Sequence, residues 1–168
     1  MPSDASRKDA PDLSRFRLRA FEAKDLPELV RLDALCFPPQ ISYSRAELYY
    51  FVRHPRSTTT VAVRGGEIVG FCVVDWKLEA GHKLGHFITI DVAPELRRNG
   101  LGRLLMQTGE ARLAEMGCIA ITLEVATGNR GAQVFYERLG YQRTGRIPGY
   151  YADGTDALVM RKTLHSAD

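Results

Sequence analysis

Cysteine is scarce in this chain, three in 168 residues. Cys36, Cys72 and Cys118 lie far apart and form no C-x-x-C pair, which excludes a disulfide framework and a thiolate metal site. Cys72 and Cys118 fall in or beside apolar strand patterns and read as buried thiols, so a reducing cytoplasm is the expected compartment. Long hydrophobic runs are also missing: none approaches the ~18 apolar residues that a membrane span requires. The opening MPSDASRKDAPDLSR has no apolar core of the secretory kind, and residues 1–15 are expected to be a polar, disordered tail. The four histidines, His54, His82, His86 and His165, are dispersed without ligand spacing, so no metal is expected. The net charge is only +3, with no broad basic stripe interleaved with aromatics, so dedicated nucleic-acid binding is not expected. No serine or cysteine nucleophile with a histidine partner is apparent, so direct transfer fits better than a covalent acyl-enzyme.

Forty-five per cent apolar and 26% charged residues describe a globular chain, large enough to bury a core without staples. A single domain is expected over residues 16–164. Phe16 to Ala23 alternates and predicts a first strand. Asp25 and Pro27 open a helix whose stripe is Leu29, Leu32 and Cys36, and Phe37-Pro38-Pro39 stops it. Ser44, with Glu47 three positions on, caps a second helix that runs to near Arg53. Gly65-Gly66 between two apolar runs is a hairpin signal. The whole order reads β-α-α-β-β-β-α-β-α-β-β.

The centre of the chain carries the first chemistry. In HFITIDVAPELRRNGLGR, Ile88, Ile90 and Val92 alternate with Thr89 and Asp91, and Pro94 ends the strand. Arg97-Arg98-Asn99-Gly100-Leu101-Gly102-Arg103 then leads into a helical pattern. Amides without intrahelical partners, at the positive end of a helix dipole, form a phosphate-binding device. The loop lacks the third glycine of a dinucleotide fingerprint and the lysine of a P-loop.

R-x-x-G-x-G after a strand resembles the pyrophosphate loop of the GNAT acyltransferases, which bind acetyl-coenzyme A. From Leu123 to Tyr141 the run L-E-V-x-x-x-N-x-x-A-x-x-x-Y-x-x-L-G-Y resembles the second half of the GNAT core. Gly85-His86 and Gly149-Tyr150-Tyr151 are similar to stretches in the ribosomal-protein alanine N-acetyltransferases and the catalytic subunits of N-terminal acetyltransferases. The resemblance spans roughly residues 16 to 164 and implies an α/β fold of the α+β kind. That fold is a mixed, mostly antiparallel central sheet with helices on both faces, its two central strands splaying to admit the pantetheine arm.

Acetyl transfer to an amine needs a neutral amine, donors for the developing oxyanion and a proton for the departing thiolate. Glu124 lies opposite the face shared by Ile119, Ile121, Leu123 and Val125; it is either a solvated strand carboxylate or, as the resemblance implies, the general base. Tyr136 shares a helical stripe with Ala132, Phe135 and Leu139; it is a core aromatic or, by the resemblance, the proton donor near the sulfur. The same resemblance assigns Ile90, Asp91 and Val92 to the cofactor arm through their backbone, and Asn129 to that arm beside its role as a helix cap. Arg97 through Arg103 and Tyr136 complete the expected cofactor set. Asp91 is an alternative base ranked below Glu124, and His86 is a structural histidine or part of a proton relay. Phe37, Pro38 and Tyr43 on one side, and Tyr150 and Tyr151 on the other, would wall a slot suited to a protein N-terminus.

The expected function is direct transfer of acetyl from acetyl-CoA to the α-amine of a protein or peptide, a ribosomal protein being one such substrate. A lysine side chain or small-molecule amine is the alternative acceptor, and a non-catalytic CoA-binding module is the reading from another class. A monomer or weak dimer is expected, without membrane attachment.

Overall fold

The computed structural model describes residues 11–165, and the first ten residues of the expected tail lie outside it. Residues Leu13–Arg15 form a 3-10 turn capped by the Asp12 side chain on Ser14 N. The first strand, β1 (Arg17–Ala20), is shorter than the alternation suggested because a second turn, Ala23–Asp25, follows at once. Helix α1 spans Leu26–Cys36 and α2 spans Arg45–Arg53. Asp25 does not cap α1 with its side chain; its carboxylate accepts from Glu22 N and from both terminal nitrogens of Arg19 instead. Ser44 and Glu47 do form the reciprocal capping box of α2.

Strands β2 (Ser57–Arg64) and β3 (Glu67–Glu79) pair across Gly65-Gly66, both at positive φ, as a tight hairpin requires. A second hairpin, through Ala80 and Gly81 at positive φ, delivers β4 (His82–Val92). Helix α3 (Leu101–Glu115), β5 (Cys118–Ala126), α4 (Arg130–Arg138), β6 (Gln142–Ile147) and β7 (Ala157–Thr163) complete the chain. The seven strands run in the order β1-β2-β3-β4-β5-β7-β6. Only the β4–β5 pair among these ladders is parallel.

Two irregularities at the centre shape everything that follows. The β3–β4 register shifts so that Val73 faces Thr89 while Val74 faces Phe87, leaving Ile88 as an extra residue. The bulge reverses the alternation: Phe87, Ile90 and Val92 share the α3 face of the sheet, and His86, Thr89 and Asp91 share the α1 face. On the α3 side the helix comes so close that a Cβ on Gly109 would lie 2.6 Å from Phe87 Cζ. The second irregularity is the β4–β5 ladder, which ends at His86 opposite Thr122. Beyond that point the edge of β4 that faces β5 has no strand partner. The same ladder skips Ile119, pairing Lys83 with Cys118 and Leu84 with Ala120. Ile119 is therefore 41% exposed instead of sharing the buried face of Ile121, Leu123 and Val125.

The core runs beneath α1 and α3, with Leu29, Leu48, Val61, Phe71, Leu105, Met106, Leu113, Ile121 and Met160 all fully buried. Among the described residues no helix is long and apolar enough to cross a membrane. All three cysteines are free thiols, Cys72 and Cys118 buried as expected and Cys36 half-buried.

Candidate active site

A cavity of ≈ 620 Å³ opens where β4 and β5 part. At one end stands the loop before α3. A short turn at Pro94–Leu96 leads to Arg97, then Arg98 at φ +65° and Gly100 at φ +82°. Gly100 is the N-cap of α3 with no side-chain hydrogen bond, so the first amides of a 15-residue helix face outward beside its dipole. Arg97, Arg98, Gly100, Gly102 and Arg103 all line the cavity. Gly100 has a second reason to be glycine: a Cβ there would lie 2.9 Å from Pro11 Cγ, so the segment before β1 packs on this loop. The loop thus offers backbone N–H groups and guanidinium groups to an anion.

Several expected cofactor residues are placed differently. Leu101 is fully buried in the core, and neither it nor Asn99 lines the cavity, so any contact from Leu101 would come from its backbone amide. Ile90 and Val92 point into the cavity, although the Val92 carbonyl already accepts from Cys36 Sγ at 3.3 Å and Arg97 Nε at 3.4 Å. Asp91 does not line the cavity. It is 1% exposed, buried beneath α1 on the face opposite Ile90 and Val92, where Thr89 Oγ1 donates to it at 2.6 Å. The bulge at Ile88 puts it there, and a carboxyl sealed from the cleft cannot serve as the base. Asn129 caps α4 by accepting from Ala132 N at 3.1 Å and also lines the cavity.

In the middle of the cavity stand Glu124 on β5 and Tyr136 on α4. Among the described residues the Tyr136 hydroxyl has no hydrogen-bond partner in the chain. Burial pushes its pKa above the ordinary value of a phenol, so it stays protonated. The sequence reading missed what stands behind Glu124. His86 Nε2 lies 2.6 Å from Glu124 Oε2, and His86 Nδ1 lies 3.4 Å from Asp75 Oδ1. These three residues come from adjacent strands on one face: Asp75 is the register partner of His86, and His86 is the partner of Thr122, two residues before Glu124. Burial alone would lower the His86 pKa, but the hydrogen bonds to Asp75 and Glu124 outweigh it and raise the value to about 9. At neutral pH His86 is an imidazolium between two carboxylates. The His86 ring thus touches the cavity carboxylate directly. Asp75 carried no local signal, because only the strand register brings it to His86.

The far end of the cavity is aromatic. Phe37, Ile41 and Tyr43 come from the loop after α1, and Tyr150 and Tyr151 come from the β6–β7 connection. The Tyr43 hydroxyl donates to the Ile88 carbonyl at the bulge, 3.3 Å away, and its ring meets Phe51 edge-on at 5.0 Å. Tyr150 and Tyr151 are edge-to-face at 5.0 Å. Their loop is braced by Asp156, which accepts from Gly149 N and pairs with Arg146. Pro38 does not line the cavity; its carbonyl instead accepts from Ile41 N and Ser42 N and shapes the turn.

The family model for the acetyltransferase (GNAT) family matches residues 26–141, which takes in α1 and every cleft residue named above except Tyr150 and Tyr151. The chain belongs to the GNAT acetyltransferase family. It is similar to an N-alpha-acetyltransferase of Sulfurisphaera tokodaii, 29% identical over 161 residues, with 89% of this chain and 93% of that protein covered. It is also similar to N-alpha-acetyltransferase 30 of Homo sapiens, 32% identical over 167 residues, covering 96% of this chain and 45% of that longer protein. Its fold is that of the ribosomal-protein-S18-alanine N-acetyltransferase from Escherichia coli, with TM-score 0.79, 24% identity, and 91% and 96% of the two chains covered. The GNAT chain is an acetyl-CoA-dependent N-acetyltransferase. Its residues suit that donor: outward amides at α3, three arginines for phosphates, and an apolar channel past Ile90 and Val92.

Proposed function

We propose that this GNAT enzyme acetylates the α-amino group at the N-terminus of a protein or peptide, by direct transfer with donor and acceptor bound together. The observation that carries the reading is the continuity of one cavity. It runs from the phosphate loop, past Glu124 and Tyr136, to a slot between two aromatic loops. Among the described residues, Glu124 is the only acid that lines it. A polyamine or aminoglycoside site would need several acids to meet a polycation, whereas a peptide N-terminus brings one amine and apolar backbone. The names of the relatives, N-alpha-acetyltransferases among them, agree with this choice.

Acetyl-CoA supplies the activated acetyl thioester. Arg97, Arg98, Arg103 and the first amides of α3 hold its phosphates. Glu124 Oε1 is the oxygen not taken by His86, and it accepts the proton of the acceptor amine, directly or through one water. An α-amine has pKa ≈ 7.7–8.0 and asks little of that base, whereas a lysine amine at ≈ 10.4 asks far more. The imidazolium of His86 cannot take a second proton, so its part is to orient Glu124, and Asp75 orients His86 in turn. Tyr136, protonated and unpartnered, gives a proton to the departing sulfur. The cytoplasm is the proposed location and a ribosomal protein a proposed acceptor.

The test is thiol release from acetyl-CoA with three acceptor sets: peptides with free N-termini, N-blocked peptides carrying lysine, and polyamines. Turnover confined to the free N-termini is expected. Turnover confined to lysine or polyamine would overturn the acceptor, and turnover with none would favour a CoA-binding module.

A further inference from the structure

Two buried carboxyl groups outside the catalytic row meet each other beneath the acceptor loop. Asp33 on α1 is fully buried, and Asp91 on β4 is 1% exposed. Each has one oxygen engaged from outside the pair. Asp33 Oδ2 accepts from Tyr43 N at 2.7 Å, and Asp91 Oδ1 accepts from Thr89 Oγ1 at 2.6 Å. The remaining oxygens, Asp33 Oδ1 and Asp91 Oδ2, are sealed from solvent and have no donor N–H or hydroxyl among the described residues. The two side chains are within hydrogen-bond reach of each other. Two carboxyl oxygens can bond only if one carries a proton, and two bare carboxylates at this depth would each remain unsatisfied.

Asp33 also holds the acceptor loop at both ends. Phe37 N donates to its main-chain carbonyl at 3.0 Å, and Tyr43 N donates to its carboxylate. Between those two bonds lie Phe37 and Ile41 of the aromatic slot. We propose that Asp33 and Asp91 share one proton and act as a positioning pair, clasping the acceptor loop, residues 37–43, to the cleft strand β4.

The surrounding groups are consistent with one proton and one negative charge. Glu47 of α2 repels charge on Asp33, and Arg97 of the phosphate loop attracts charge on Asp91. Cys36, Tyr43, Cys72 and Tyr136 are the other titratable neighbours; burial above all raises all four, Cys36 to about 11 and Cys72 to about 12, so they stay neutral. Burial raises Asp33 to about 6, with Tyr43 N–H and the Asp91 hydroxyl holding it down. Burial and the neighbouring Asp33 charge raise Asp91 well above the carboxylate range. Asp91 therefore keeps the proton at neutral pH and donates it to Asp33.

The clasp rests on the aromatic loop being the acceptor wall, so two independent readouts test it. The first is the infrared spectrum of the full chain at about pH 8, above the ordinary carboxylate range. A protonated carboxylic acid band is expected there, absent in Asp91→Asn; no such band in the wild type would overturn the shared proton whatever the acceptor proves to be. The second is steady-state kinetics on an N-terminal peptide. Asp91→Leu leaves Asp33 buried without a donor and should raise the acceptor KM roughly tenfold or more. The KM for acetyl-CoA should stay within about twofold, the margin of an indirect contact. Asp91→Asn can donate through its amide and accept from Thr89, so it should rescue the acceptor KM. Equal damage from asparagine and leucine, or equal movement of both KM values, would overturn the clasp. Should Asp91→Leu fail to fold, the same two readouts on Asp91→Asn decide: loss of the band with an undisturbed acceptor KM supports the clasp, and an asparagine variant that loses acceptor binding overturns it.

Discussion

Replacing His86 by glutamine tests the central row of the site through stability as well as rate. In the folded chain His86 sits between Asp75 and Glu124, side chain 30% exposed, with its pKa raised from 6.5 to about 9. The gap corresponds to about 3 kcal/mol at ~1.36 kcal/mol per pH unit, and solvent screening at this half-buried site makes that an upper bound. Because the folded value lies above the ordinary one, the stabilisation is present in full below about pH 6.5 and is lost as pH rises through about 9. For a chain of this length about 3 kcal/mol amounts to a melting shift of roughly 6–12 °C. Thermal unfolding of the wild type and His86→Gln, followed in parallel between about pH 6 and pH 10, isolates the term as the difference between the two curves. The wild type should lose its advantage across that window, while the glutamine variant should show a flatter profile. Parallel curves would refute the reading of His86 as an imidazolium held by two carboxylates.

Activity should divide along the same lines. Glu124→Gln should lower kcat by ~10²–10⁴-fold with little change in the KM for acetyl-CoA, and Tyr136→Phe should lower kcat by ~10²-fold or more; unchanged kcat in either removes that residue from the chemistry. Gly100→Ala forces a side chain into φ +82° and against Pro11, at a cost of about 1–2 kcal/mol. It should also raise the KM for acetyl-CoA above that for the acceptor, which initial-rate measurements at two fixed co-substrate levels would resolve. Gly109→Ala puts a methyl group 2.6 Å from Phe87 Cζ, and denaturant unfolding should report a loss of about 1–3 kcal/mol.

Local chemistry made much of this protein readable before any tertiary contact was known. The Ser44/Glu47 box, the Gly65-Gly66 hairpin, the Asn129 cap and the glycine loop before α3 are each decided within a few residues of chain. Such signals suffice for the order of elements and for one end of the cavity. Glu124 and Tyr136, which both line the cavity, could be singled out as candidates because the family frame around them is local as well. Asp75, the partnership of His86 with Glu124, and the Asp33–Asp91 pair were not legible, because each joins elements distant in sequence.

The extra residue at Ile88 shows why. A one-residue change of register turns every later side chain of a strand to the other face. Nothing within TIDV itself says that Asp91 is sealed beneath α1 while Ile90 and Val92 line the cleft. The sequence alone determined which elements form and which loop presents outward amides and arginines, since both depend on periodicity, caps and glycine. Only the tertiary structure decided which carboxyls face the cleft and which are sealed beneath it, because cross-strand register and helix packing place those groups.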